Sequence, residues 1–138
     1  MAFTVRSILE VVGYPEAHVN EIRDKVLEKL RAEEGMSVLL EHIDPAAQLE
    51  GETQLFGSFV DVELKIDSVV RMYHFCMDYL PSSIEILDKK DIFFDLPEFT
   101  TSLNDLLQRL HQLNVVISNL HRENKRLKKQ FGVDEQKN

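Results

Sequence analysis

The chain has 138 residues, with 43% hydrophobic and 29% charged side chains and a formal net charge of −8. That balance suits one folded domain, or a compact domain with an appendage, and is too apolar for a disordered chain. The charge is unevenly spread: residues 1–100 carry 9 basic and 20 acidic side chains, a balance of −11, whereas residues 101–138 carry 7 and 4, a balance of +3. An acidic body repels phosphate backbones and argues against nucleic acid as the main partner. No stretch approaches the ~18 consecutive apolar residues of a spanning helix, so no membrane segment is expected. The start, MAFTVRSILEVVGYPEAHVNE, lacks a basic leader and a long apolar run and reads as folded protein. The single cysteine, Cys76, rules out an intramolecular disulfide, which fits a cytoplasmic location.

The opening run FTVRSILEVVGY is rich in β-branched and aromatic residues and predicts a strand over about 3–12. PEAHVNEIRDKVLEKLRAEEG predicts an amphipathic helix, with Pro15 in the first turn, Gly35 beyond its end, and Val19, Ile22, Val26, Leu27 and Leu30 on one face. MSVLLEHI reads as a short strand, and DPAAQLEGETQ as a loop or turn around Pro45 and Gly51. LFGSFVDVELKID alternates most clearly: Phe56, Val60, Val62, Leu64 and Ile66 face one way, and Phe59, Asp61, Glu63 and Lys65 the other. One face of the sheet is then core and the other wet, as in an antiparallel sheet covered on one side.

Asp67 predicts a cap for the helix SVVRMYHFCMDYL, which stops at Pro81. SSIEILD gives another strand, DKKD a charged turn, and IFFDL a short added strand. The last helix is expected over about 98–131. The resulting order predicts an α+β, ferredoxin-like β-α-β-β-α-β antiparallel sheet followed by a long C-terminal coiled-coil helix. The boundaries expected are a body at 1–96, the helix at 97–131 and a flexible tail at 132–138.

The last helix carries the strongest pattern. Leu106, Leu113, Leu120 and Leu127 recur every seven residues. With these at heptad position d, position a falls on Leu103, Leu110, Ile117, Asn124 and Phe131. A lone Asn at a is a device of parallel two-stranded coiled coils, where it pairs across the axis and fixes register. Glu123 at g and Lys128 at the next e would meet between chains. Leu107, Val115 and Val116 widen the stripe beyond a strict two-stranded seam, which suggests that the N-terminal half of the helix packs on the body or in a bundle of more than two helices. At about 1.5 Å per residue this helix outreaches a body whose radius of gyration is near ~13 Å, so exposed leucines would need a partner.

Other candidates are weaker. On a helix His74 and Asp78 share a face while Cys76 points elsewhere, so the three do not converge on a metal. His42, Asp44, Asp61 and Glu63 on the wet sheet face are a conceivable cation or small-ligand site, with a solvated surface as the plainer explanation. The isolated glycines form no nucleotide cradle. The basic cluster Arg122, Lys125, Arg126, Lys128 and Lys129 resembles a nucleic-acid arm in composition, yet overlaps the last heptad and reads more simply as a solvated helix end. No catalytic residue, cofactor or metal is expected. The expectation is a non-enzymatic oligomerisation or protein-interaction protein, forming a homodimer or other homo-oligomer through Leu103, Leu106, Leu110, Leu113, Ile117, Leu120, Asn124 and Leu127, or binding another protein's helix there. The alternatives are a small-molecule-sensing regulatory domain and a nucleic-acid-associated protein.

Overall fold

A computed structural model of the chain describes residues 2–51 and 54–132. The fold separates into two compact units, Met1–Leu96 and Pro97–Asn138. The first is an α+β body: β1 (Phe3–Gly13), α1 (Glu16–Arg31), β2 (Met36–Gln48), β3 (Phe56–Ile66), α2 (Val69–Tyr79) and β4 (Ser83–Ile86). The second is one helix, α3 (Leu96–Gln130), which opens on the boundary residue.

The four strands form one sheet in the order β2-β3-β1-β4, and every neighbouring pair is antiparallel. Register follows from the alternation in the two central strands. Phe3, Val5, Ser7 and Leu9 of β1 lie opposite Ile66, Leu64, Val62 and Val60 of β3, and all eight are buried. Leu27 and Leu30 of α1 and Val69, Met72 and Phe75 of α2 join these side chains in one core, so both helices cover the same face of the sheet. The other face carries Arg6, Phe59, Asp61 and Glu63 outward, as the alternation in β3 requires.

The structure corrects five local expectations. β2 does not stop at Ile43 but runs to Gln48 through Pro45, with register irregularities at Val38/Leu40 and Asp44/Ala47. Proline is tolerated there because β2 lies at the edge of the sheet, where a missing N–H leaves no partner wanting. Ser68, not Asp67, caps α2, its hydroxyl accepting the Arg71 backbone N–H at 3.2 Å. Leu80, expected within the helix, instead ends α2 in the left-handed region (φ 44°) and is exposed. Among the described residues IFFDL pairs with no strand. There the Leu87 N–H donates to the Thr4 carbonyl and the Asp88 carboxylate accepts the Thr4 N–H at 2.9 Å, so the β1 groups a longer ladder would use are occupied. Finally, α3 begins at Leu96, ahead of the expected residue 98. Of the tail expected at 132–138, residues 133–138 lie outside the described residues.

A polar network holds the irregular half of β2. Arg23 of α1, largely covered, donates to the Asn20 side-chain oxygen (2.8 Å) and to Ser58 Oγ (3.1 Å). Asn20 also accepts the Ala46 N–H, and Ser58 donates to the Asp44 carbonyl at 2.7 Å. The backbone groups released by the second irregularity are thus satisfied by side chains. At the other end of the body Gly35 turns the chain with φ +80°. A Cβ there would sit 3.0 Å from Arg71 Nε and from both Asp67 carboxylate oxygens. Gly35→Ala is therefore expected to destabilise the body by about 1–3 kcal/mol, read as a lower urea midpoint at unchanged slope.

Candidate interaction site

α3 forms because residues 98–131 contain neither Gly nor Pro, and its ends are well marked. Pro97 and Glu98 occupy the first turn, where the Thr101 and Ser102 hydroxyls donate to the Pro97 and Glu98 carbonyls. Lys128 and Lys129 lie in the last turn, where cations complement the negative end of the helix dipole. Gly132 then terminates it with φ +68°, its N–H donating to the Lys129 carbonyl.

The structure places Leu103, Leu106, Leu110, Leu113, Ile117, Leu120, Asn124 and Leu127 on this one helix. Only Leu106 is half-buried; the other seven are exposed, the hydrophobic ones from 40% at Leu103 and Leu127 to 64% at Leu120. Leu107, Val115 and Val116 beside them are also exposed. The basic side chains Arg122, Lys125, Arg126 and Lys129 are exposed and Lys128 is partly covered. At about 100° per residue, these five centre on the side of the helix away from Leu120, Asn124 and Leu127. The Arg126 guanidinium hydrogen-bonds Glu123 and holds its carboxyl below the ordinary value. Glu123, expected to reach a second chain, therefore already has a partner within its own helix.

The other candidate groups do not converge. On the open sheet face Arg6 Nε lies 3.0 and 3.2 Å from the two Asp61 carboxylate oxygens, and this hydrogen-bonded pair lowers the Asp61 pKa. A cation at Asp61 and Glu63 would have to displace the guanidinium that already neutralises Asp61. His42 Nε2 is 3.4 Å from Asp44, pointing along its own strand. Cys76 is half-buried on α2 and burial raises its pKa, which keeps the thiol protonated and unreactive. Among the described residues no three His, Cys, Asp or Glu side chains are grouped to hold a metal ion, and no helix is long and apolar enough to cross a membrane.

Sequence reasoning did not foresee two polar contacts of the body. Tyr79 stacks on Phe75 (centroids 5.5 Å apart), and its hydroxyl donates to Glu33 at 2.6 Å, tying α2 to the turn after α1. Arg31 pairs with Glu41 across the α1–β2 junction. Neither has a spacing signal, because the partners belong to different elements.

What emerges is a small α+β protein with a four-stranded antiparallel sheet, a well-satisfied body and a 35-residue terminal helix lined with exposed leucines. The chain belongs to the MJ0538 family, whose sequence model matches residues 4–137 and so takes in the body and the whole of α3. No curated protein and no solved structure matches the chain.

Proposed function

We propose that this protein is a non-enzymatic assembly, adaptor or regulatory subunit that associates with a second copy of itself through α3. The observation that carries this reading is the row Leu103, Leu110, Leu113, Ile117, Leu120 and Leu127, each at least 40% exposed in the single chain. Fully burying one leucine stabilises by about 1.5–3 kcal/mol, so covering such a row against a copy is a large gain. The seven-residue repeat and Asn124 at a supply the register of a coiled coil. The body acts as the module that the helix brings together. We read it as ferredoxin-like on the strength of its strand order, its antiparallel pairing and its two helices on one face. The lone Cys76 suits a reducing cytoplasm.

Sedimentation velocity of the full chain at micromolar concentration tests the reading: a dimer or larger species is expected, and a monomer would sink it. Asn124→Leu is expected to tighten association by about 1–3 kcal/mol while broadening the distribution of oligomer sizes. No change in either quantity would remove Asn124 from the interface.

A further inference from the structure

Self-association through α3 leaves the direction of pairing open, and two effects oppose each other in deciding it. An antiparallel pair overlapping over all of α3 would set Asn124 against the partner's apolar stretch around Leu103 and Leu106. A buried amide without a partner weakens the pairing constant by about five- to 150-fold per chain. In a parallel, in-register pair Asn124 meets its own counterpart, and each amide N–H can donate to the other's side-chain oxygen. Charge pulls the other way. Parallel pairing collects Arg122, Lys125, Arg126, Lys128 and Lys129 of both chains at one end, and Glu123 is the sole acidic residue among them. Antiparallel pairing would instead lay them near Glu98 and Asp105. Arg122, Lys125, Arg126 and Lys129 are exposed, whereas Lys128, Glu98 and Asp105 are partly covered; a charge pair with an exposed member is worth less than about fivefold and is screened over ~8 Å at physiological ionic strength. The amide effect is the larger.

We propose that two copies pair α3 with α3 in parallel and in register, directed by Asn124, and that the gathered basic ends make association tighten as ionic strength rises. This rests on the self-association reading above. Lys128 at e of one chain can approach Glu123 at g of the other, and Glu123 would divide its carboxylate between that lysine and its own Arg126. The remaining basic groups repel across the pair, and added salt relieves them.

The test labels Gln130→Cys with a nitroxide in a Cys76→Ala background of the full chain and measures the spin–spin distance. Parallel pairing predicts a separation below about 30 Å, roughly two helix diameters plus the label arms. Antiparallel pairing predicts about 50 Å, the length of α3 at about 1.5 Å per residue. Independently, sedimentation of the unmodified chain from 0.05 to 0.5 M NaCl should show the dissociation constant falling about three- to tenfold. A dimer with the long distance overturns the parallel direction and leaves self-association standing. A flat or rising dissociation constant overturns the ionic control. A monomer under every condition overturns both this inference and the reading it rests on.

Discussion

Leu113→Asp is expected to abolish self-association while leaving the body folded. Leu113 sits mid-row on α3 and is 52% exposed in the single chain, so the substitution removes no core contact of the body. In a pair it would forfeit two leucine burials, about 3–6 kcal/mol in all, before counting two carboxylates forced into an apolar seam. At about 1.4 kcal/mol per decade the dissociation constant rises at least 100-fold. Sedimentation equilibrium reads the association, and thermal denaturation followed by near-ultraviolet circular dichroism, which senses the body's tyrosines, reads the body. A body that melts earlier with association intact would mean that this face of α3 serves the fold of one chain.

Phe75→Ala is expected to do the converse. Phe75 is fully buried, packs in the single core beneath the sheet and stacks on Tyr79. Truncating a buried phenylalanine costs about 3–5 kcal/mol, a large share of the 5–15 kcal/mol typical of whole domains. For a body of this size the melting temperature should fall by roughly 15 °C or more. Association through α3, measured well below the new melting point, should persist, because none of the exposed a and d side chains belongs to that core. Loss of both properties together would show that body and helix are thermodynamically one unit.

How far the sequence was legible depended on whether one physical effect dominated locally. β3 could be read to the residue because its two faces meet opposite environments, and Val60, Val62, Leu64 and Ile66 are buried as their alternation demands. The distal half of β2 could not, because Pro45 ordinarily marks a turn. Only its position at the sheet edge, together with Asn20, Arg23 and Ser58 contributed from elsewhere in the chain, makes an extended course tolerable. IFFDL misled for the opposite reason: it has strand composition, yet the neighbouring backbone is already engaged by Leu87 and Asp88. Phe93 and Leu96 remain strongly exposed. For α3 the repeat was plain in the sequence and the side chains lie where it puts them. The cover proposed for them is a second molecule, which no single chain encodes locally.

The irregular course of β2 has a consequence for how this protein behaves in a crowded solution. A sheet grows by accepting a further strand along an uninterrupted row of backbone donors and acceptors. One margin here is broken twice and carries an imino acid at Pro45; the other, β4, is four residues long, and beyond its end Asp88 occupies the Thr4 N–H of β1. Both margins are poor templates for fibril-like stacking. The molecule can therefore carry a helix with exposed leucines at high concentration without its sheet recruiting neighbours, and aggregation by strand addition is disfavoured at both edges.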